Sequence, residues 1–250
     1  KFYIETYGCA ANKFDSYIII DLLQKAGYNQ TDFESAEYII INTCGVKEQT
    51  ENKIRARLKK LSDLKYNNPE KKIIIAGCLP FISSNYMKKI KEVIPNYSAI
   101  IGLNSLFKIV DVFEKLQNDE ENFILITNQK HDKANYLVDY SPKKITGIVP
   151  ISEGCIGSCT YCCVKNARGR LISYSLNSII KNVKYQLEQG IKQIYLTSQD
   201  CSTYKFNGIE LSEIIRRINN LHHEFFLRVG MLNPSFLIDN LTQIKEILKY

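Results

Sequence analysis

Three cysteines, Cys155, Cys159 and Cys162, lie within eight residues of one another in a segment that follows a predicted strand. Gly154 and Gly157 loosen the backbone there, so the three thiolates can converge in one tight loop. Three thiolates leave one iron of a 4Fe–4S cubane without a protein ligand, and that iron can bind a further molecule. The same spacing also suits one face of a helix, and thiolates also bind zinc. The two glycines and the preceding strand favour the iron–sulfur loop.

A second set of three cysteines is spread over the first third of the chain. Cys9, Cys44 and Cys78 are separated by 35 and 34 residues, about one strand and one helix each. Each directly follows a predicted strand, and the carboxyl ends of parallel strands form the ligand-binding edge of such sheets. We therefore expect the three thiols at one edge. Small buried packing groups are the alternative, whereas a structural zinc site would need a fourth protein ligand.

The eight cysteines also bear on the compartment. An even count suits disulfides in short secreted chains, but this chain of 250 residues begins without the apolar segment of a signal peptide. No apolar run approaches the roughly 18–20 residues that cross a membrane. We expect reduced thiols in the cytoplasm and no membrane partner. Cys163 and Cys201 lie outside both sets and are expected to be small buried packing residues.

Short Ile-rich runs alternate with amphipathic stretches over residues 1–122, which predicts an α/β domain with a doubly wound parallel sheet. Strands are predicted at residues 2–6, 37–42, 72–76 and 99–101, and helices at residues 15–26, 48–66, 83–93 and 106–117. Residues 123–127 can add one strand. Residues 128–144 are polar and contain Pro142, so residues 123–144 are expected to be a connection between domains.

A second alternation fills residues 145–250. Strands are predicted at residues 147–151, 192–197 and 225–229, and helices at residues 176–189, 211–219 and 237–250. Without a hairpin signal, this order is typical of the opening units of a βα barrel. About three units are fewer than a closed barrel needs. We therefore expect an incomplete barrel and a fragment of a longer protein.

Polar residues end the predicted barrel strands, where barrel enzymes place their active sites. Ser198, Gln199 and Asp200 follow the second strand, and Arg228 lies near the end of the third. They are candidate ligand contacts, although serine and aspartate also favour ordinary turns. Glu153, just before the cysteine loop, is a weaker candidate of the same kind.

The charge balance mildly favours an anionic partner such as RNA, because 33 Lys and Arg residues exceed 26 Asp and Glu residues. Arg168 and Arg170 follow the cysteine loop closely and are expected to meet phosphate near the site. The basic residues near Arg55 and Arg217 are expected to be solvated helix faces. Only three histidines are present, and no P-loop or Gly-x-Ser-x-Gly motif occurs, so those enzyme classes lose support.

The Cys-x-x-x-Cys-x-x-Cys loop resembles the signature of radical S-adenosylmethionine enzymes, and Tyr161 supplies the aromatic residue typical before the last cysteine. The resemblance implies that Cys155, Cys159 and Cys162 hold the catalytic 4Fe–4S cluster. Its free iron would hold the amino and carboxylate groups of S-adenosylmethionine. Reduction would then release a 5′-deoxyadenosyl radical. Tyr161, Ser198, Gln199 and Arg228 become the candidate S-adenosylmethionine contacts.

With the upstream cysteines, the resemblance narrows to the methylthiotransferases and covers essentially the whole chain. The matching strings are Tyr7-Gly8-Cys9-Ala10-Ala11-Asn12 with Asp15-Ser16, Asn42-Thr43-Cys44-Gly45-Val46-Lys47 with Thr50-Glu51, and Ala167-Arg168-Gly169-Arg170. Two others, Leu196-Thr197-Ser198-Gln199-Asp200 and Arg228-Val229-Gly230-Met231-Leu232-Asn233-Pro234, look most like the archaeal and eukaryotic branch. That branch modifies N6-threonylcarbamoyladenosine beside the tRNA anticodon.

The resemblance implies a second 4Fe–4S cluster on Cys9, Cys44 and Cys78, which carries or donates the methylated sulfur. One S-adenosylmethionine would methylate sulfur, and a second would yield the radical that takes hydrogen from adenine C2. The partners implied are tRNA, through an anticodon-loop adenosine, and an electron donor protein. The family usually ends with an RNA-binding β-barrel domain, which nothing in this chain supplies.

Three alternatives stay open at this point. Within the family, the substrate can be isopentenyl-adenosine in tRNA or a ribosomal-protein aspartate. Outside it, the chain can be an iron–sulfur electron carrier that performs no catalysis, which would not need S-adenosylmethionine. A structural zinc protein that binds RNA is the third, and it would be colourless where iron–sulfur clusters are brown.

Overall fold

The computed structural model describes residues 1–140, 144–238 and 241–247. The chain forms two compact units. The first unit comprises Lys1–His131 and Cys159–Arg168, and the second comprises Asp132–Ser158 and Gly169–Tyr250.

The first unit is built on a five-stranded parallel sheet with sequential strand order. Its strands are β1 (Phe2–Thr6), β2 (Tyr38–Thr43), β3 (Lys72–Gly77), β4 (Ala99–Ile101) and β5 (Phe123–Leu125). The intervening helices are α1 (Ala10–Lys25), α2 (Glu48–Asn67), α3 (Ser84–Val93) and α4 (Ile109–Gln117), and a short helix, α5, covers Val164–Arg168. The predicted α/β fold with a parallel N-terminal sheet is confirmed.

Helices cover both faces of this sheet because its central strands are apolar on both sides. Along β2, Ile39 and Ile41 pack with α2 and α3, whereas Ile40 packs on the opposite face with α1 and α4. All three side chains are fully buried. Short continuous Ile runs are therefore the correct signature of these strands.

Helix α1 begins at Ala10, five residues earlier than the apolar pattern predicts. The first turns carry Asn12, Asp15 and Ser16, which are polar and nevertheless buried. Apolar periodicity underestimates the length of a helix whose first turns bury polar groups in a hydrogen-bonded network.

The second unit contains a three-stranded parallel sheet of β6 (Thr146–Pro150), β9 (Gln193–Thr197) and β12 (Phe226–Val229), ordered β12-β9-β6. Helices α6 (Leu176–Glu188) and α7 (Leu211–Asn219) connect these strands, and both pack into one apolar core with the sheet. A parallel sheet with its crossover helices in one core is the expected beginning of a βα barrel.

Two small antiparallel pairs interrupt this pattern, and the prediction without hairpins is therefore wrong. Strands β7 (Ser152–Glu153) and β8 (Ile172–Ser173) pair, as do β10 (Lys205–Phe206) and β11 (Ile209–Glu210). Between the latter lie Asn207 and Gly208, with φ values of 50° and 81°. Positive φ at both central residues is what a two-residue hairpin turn of type I′ requires.

The last described helices are α8 (Pro234–Ile238) and α9 (Leu241–Ile247), where one helix over residues 237–250 is predicted. Residues 239–240 and 248–250 of that prediction lie outside the described residues, as do residues 141–143 of the predicted connection. The connection also begins inside the first unit, since β5 belongs to its sheet. In the described part of the chain, every helix is too short or too polar to cross a membrane.

Candidate functional site

The upstream cysteines lie where three neighbouring strands of the first sheet end. Cys9 follows β1 and immediately precedes α1, while Cys44 and Cys78 follow β2 and β3. The strands are in parallel register, with Thr6 opposite Asn42 and Thr43 opposite Gly77. All three cysteines therefore belong to the carboxyl edge of one sheet. Cys44 and Cys78 are buried, and Cys9 is exposed.

A buried polar network lies directly behind this edge. The Asn12 side-chain amide donates to the Asn42 side-chain oxygen at 2.7 Å and to the Thr43 carbonyl at 3.1 Å. The Asn42 amide in turn donates to the Asn12 carbonyl at 2.8 Å and to the Ser16 hydroxyl at 2.7 Å. Because these groups are removed from water, their mutual hydrogen bonds fix the strand ends and the start of α1 in one arrangement.

Gly77 permits the close approach of β2 and β3 just before Cys78. Its φ is +92°, and an added Cβ would lie 2.2 Å from the Thr43 carbonyl oxygen. The Cys78 N–H donates to that same carbonyl at 3.0 Å, and the Thr43 hydroxyl donates to the Ala76 carbonyl at 2.6 Å. Backbone contacts therefore determine the position of Cys78.

The cysteine edge of the first unit also contains a buried ion pair. Arg168, the last residue of α5, binds the Asp15 carboxylate at 2.7 Å, and the two side chains are 2% and 1% exposed. Burial raises the pKa of the Cys78 thiol to about 11, while Arg168 lowers it and Asp15, Cys44 and Cys9 raise it. Cys78 therefore lies close enough to the ion pair and to the other two thiols to respond to their charges.

The expectation that Arg168 contacts phosphate is wrong, because its guanidinium is buried against Asp15. Arg170, by contrast, is exposed. Cys163 is half-buried, and its thiol donates to the Gly45 carbonyl at 3.1 Å, so it bonds to the backbone next to Cys44. Cys201 is fully buried in the core of the second unit, as expected of a packing residue.

Residues 154–162, called the compact loop below, contain Cys155, Cys159 and Cys162. These cysteines are divided between the two units. In the first unit, Cys159 and Cys162 are exposed and joined by a turn in which the Cys162 N–H donates to the Cys159 carbonyl at 3.1 Å. Tyr161, between them, is 89% exposed. In the second unit, Cys155 donates its N–H to the Gly169 carbonyl at 3.1 Å, and its thiol accepts the Gly157 N–H at 3.2 Å.

Within the described ranges, no three His, Cys, Asp or Glu side chains are arranged to hold a metal ion. The carboxyl edge of the first sheet, which carries Cys9, Cys44 and Cys78 and is called the upstream edge below, nevertheless has the thiol ligands that an iron–sulfur cluster needs. Cys78 has two further thiols within electrostatic reach, and the Gly77 contact leaves no room for a side chain behind it. Each thiol has to lose its proton when it binds metal, so binding would release protons.

The strand ends of the second unit bring Gln199 to the start of the compact loop. The Gln199 side-chain oxygen accepts the Gly154 N–H at 2.6 Å. Ser198 and Asp200 are buried. One Asp200 oxygen accepts the Ser202 and Asn233 N–H groups at 3.0 and 3.2 Å, whereas its other oxygen is buried and has no hydrogen-bond partner among the described residues.

Arg228 is exposed, with its guanidinium 4.5 Å from the centre of the Tyr195 ring. Glu153, which is half-buried, forms an ion pair with the buried Lys133 at 2.9 Å and accepts the Tyr174 hydroxyl at 3.4 Å. Glu153 therefore helps to hold the strand that leads into the compact loop. Sequence reasoning did not identify Lys133 or Asp15 as ion partners, because a partner far away in sequence leaves no local signal.

Comparison with known proteins identifies two family models. Residues 1–102 match UPF0004, described as an uncharacterized protein family, and residues 149–250 match the Radical SAM superfamily. The first match contains the upstream cysteines, and the second contains the compact loop. The two family models therefore divide these six cysteines into the same two sets of three as the spacing along the sequence does.

Curated relatives match over nearly the whole chain. A probable threonylcarbamoyladenosine tRNA methylthiotransferase of Pyrococcus horikoshii is 36% identical over 254 residues, which cover 100% of this chain and 57% of that protein. A Methanocaldococcus jannaschii protein described in the same words is 34% identical and covers 98% and 56%. The Homo sapiens threonylcarbamoyladenosine tRNA methylthiotransferase is 30% identical and covers 100% and 43%. The chain thus spans about half the length of these relatives.

A solved structure shares the fold. The radical S-adenosylmethionine methyltransferase TsrM from Kitasatospora setae aligns with a TM-score of 0.54 at 11% identity, over 86% of this chain and 50% of that one. The chain is therefore similar, in its first segment, to the UPF0004 model, in its second segment, to the Radical SAM superfamily model, and, over both segments together, to relatives named threonylcarbamoyladenosine tRNA methylthiotransferase.

Proposed function

We propose that the protein is an enzyme that attaches a methylthio group to N6-threonylcarbamoyladenosine in tRNA by radical S-adenosylmethionine chemistry. One observation carries this proposal: two separate sets of three cysteines occur in one chain, on a UPF0004 segment and a Radical SAM segment. Relatives that share both segments bear the name of this activity. A simple electron carrier has no need for the S-adenosylmethionine chemistry of the second segment.

Two 4Fe–4S clusters are proposed. Cys155, Cys159 and Cys162 hold the first, with S-adenosylmethionine on its open iron, and Cys9, Cys44 and Cys78 hold the second, which provides the sulfur. When bound, the first cluster and S-adenosylmethionine supply the radical chemistry that an unreactive adenine C2–H bond demands. The protein positions these groups and excludes water.

The chain's own residues have distinct parts in this scheme. The Gln199 side-chain oxygen accepts the Gly154 N–H at 2.6 Å, so Gln199 orients the entrance of the compact loop. Ser198 is buried at the same strand end, and Tyr161 and Arg228 are exposed. We assign all four to contacts with S-adenosylmethionine. For Gln199, that role would be combined with holding the loop.

The proposed macromolecular partners are a tRNA, bound through an anticodon-loop adenosine, and an electron donor protein. The net charge of +7 suits an RNA partner, although such a charge is weak support by itself. A tRNA substrate and thiolate ligands that must stay reduced both point to the cytoplasm as the place of action.

The first test is the iron and sulfide content after anaerobic reconstitution. Two cubane clusters predict about eight irons per chain, which fall to about four when either set of three cysteines is replaced by alanine. Cys163→Ser and Cys201→Ala are matched controls, since both remove a thiol outside the two sets and should leave about eight irons. One bound zinc without iron would overturn the proposal.

Substrate choice is tested by mass spectrometry of tRNA nucleosides after reaction with S-adenosylmethionine and a reductant. The expected product is the 2-methylthio derivative of N6-threonylcarbamoyladenosine. Modification of isopentenyl-adenosine or of a ribosomal-protein aspartate instead would keep the reaction class and replace the substrate. Two clusters without S-adenosylmethionine binding would identify an electron carrier.

A further inference from the structure

The Asp15–Arg168 ion pair is almost completely buried in the first unit. Its side chains are 1% and 2% exposed, and the two groups lie 2.7 Å apart. Removing two charges from water costs several kcal/mol per ion, and a well-packed apolar pair often replaces such an ion pair without loss. A pair buried so deeply is therefore a candidate for a role besides folding.

The position of the pair relates it to the proposed ligands. Asp15 lies on α1, six residues after Cys9, and Arg168 ends α5, six residues after Cys162. All four residues belong to the first unit. The ion pair therefore ties the segment with Cys159 and Cys162 to the helix that begins beside Cys9.

The charge of the pair also acts on the upstream edge. Helix α5, which ends at Arg168, packs against the Leu79–Phe81 turn, and that turn directly follows Cys78. Burial raises the pKa of the Cys78 thiol, and the lowering by Arg168 is larger than the raising by Asp15. A guanidinium stays protonated at every accessible pH, so this positive charge near Cys78 is permanent.

We propose that Arg168 is a positioning residue for the cluster on Cys9, Cys44 and Cys78: Asp15 fixes its guanidinium near Cys78, where the positive charge stabilises the reduced cluster. This inference rests on the proposed function. An oxidised 4Fe–4S core of charge +2 with three thiolates carries −1, and one electron from a reductant such as dithionite takes it to −2. No bond or proton changes, so the effect is electrostatic and must appear in the reduction potential.

The test isolates the upstream cluster by replacing Cys155, Cys159 and Cys162 with alanine. In this background, the reduction potential is measured by redox titration with paramagnetic resonance for Asp15→Asn, Asp15→Asn/Arg168→Lys and Asp15→Asn/Arg168→Met. All three lack the buried carboxylate, so they differ only at position 168. Iron content and circular dichroism are recorded for each.

The charge-free variant should be harder to reduce. Asp15→Asn/Arg168→Met is expected to show at least a tenfold smaller equilibrium constant for reduction than Asp15→Asn, which is about 59 mV for one electron. The Lys variant should stay near Asp15→Asn. A purely structural Arg168 would leave all three potentials equal, and that result overturns the inference.

The outcomes separate this inference from the proposed function. Four irons with equal potentials overturn only the role of Arg168, whereas no iron in the parent with its upstream cysteines intact overturns both. Loss of the cluster in the Met variant but not in the Lys variant would also support the proposed role of the Arg168 charge. Loss in both would overturn it, because a retained charge would then have no effect.

Discussion

The two sets of cysteines are held in different ways. Each upstream cysteine follows a strand of one sheet, and Cys44 and Cys78 are buried at strand ends that a hydrogen-bonded network through Asn42 holds in place. The compact loop instead leaves Cys159 and Cys162 exposed, joined by one backbone turn. One set takes its position from a sheet, and the other from a loop.

This difference suggests a division of work. Sites on strands hold their groups more precisely than sites on loops, so the upstream edge suits a cluster whose sulfur must be presented in one place. The loop depends on contacts at its two ends, where Gly154 binds Gln199 and Arg168 binds Asp15. Exposed thiols between such anchors suit a cluster that must leave one iron accessible.

The largest expected effect distinguishes what each set does. Replacing Cys155, Cys159 and Cys162 by alanine should abolish both cleavage of S-adenosylmethionine and methylthiolation of tRNA. Replacing Cys9, Cys44 and Cys78 should abolish methylthiolation but leave reductive cleavage of S-adenosylmethionine. Chromatographic detection of 5′-deoxyadenosine and of the modified nucleoside measures both. If the variant without Cys9, Cys44 and Cys78 also fails to cleave S-adenosylmethionine, the two sets of cysteines do not have the separate functions proposed here.

A second prediction concerns the Lys133–Glu153 ion pair, which holds the strand just before the compact loop. Lys133→Met should destabilise the protein by roughly 3 kcal/mol, because it removes the positive charge that compensates the half-buried Glu153 carboxylate. Lys133→Met/Glu153→Gln should regain most of this loss. Urea denaturation of the metal-free protein measures both. If the single variant is as stable as the parent, the ion pair is not an anchor.

A third prediction tests the rigidity of the upstream edge. Gly77→Ala should destabilise the protein by about 2 kcal/mol more than Gly190→Ala. Both glycines have positive φ, of 92° and 86°, but Gly77 faces a backbone oxygen, whereas no atom of the described residues lies within 4 Å of a Cβ at Gly190. The difference therefore isolates the close approach to Thr43. Thermal unfolding measures stability, and Gly77→Ala should also lower only the upstream iron. Equal destabilisation would contradict a tightly packed edge.

Much of the sheet architecture could be predicted from the sequence. The strand at Phe2–Thr6 and the strand at Ala99–Ile101 have the predicted bounds, and α2 begins at the predicted Glu48. These elements bury apolar side chains at regular positions, so local periodicity carries the whole signal. The placement of the upstream cysteines follows from the same elements.

Other features could not be read from apolar patterns. The start of α1 is hidden because Asn12 and Ser16 are polar yet buried. The turn at Asn207-Gly208 does have a local signal, since Asn-Gly favours a type I′ hairpin. Arg168 has none, since its partner Asp15 lies 153 residues away in sequence. A basic residue near a proposed site is equally consistent with phosphate contact until its partner is known.

The smallest expected effect tests the anchor that Gln199 provides. Gln199→Leu removes the acceptor of the Gly154 N–H and should cost about 1 kcal/mol of stability, because that buried donor loses its partner. If the loop entrance depends on this bond, the affinity for S-adenosylmethionine should also fall about tenfold, equivalent to about 1.4 kcal/mol. Gln199→Glu keeps an acceptor and is the matched control. Calorimetric titration of the reconstituted protein measures the affinity. Unchanged affinity in the Leu variant would mean that the bound metal, rather than the Gln199 hydrogen bond, organises the compact loop. The loop would then differ even more from the upstream edge, whose cysteines are positioned by the protein's own strands.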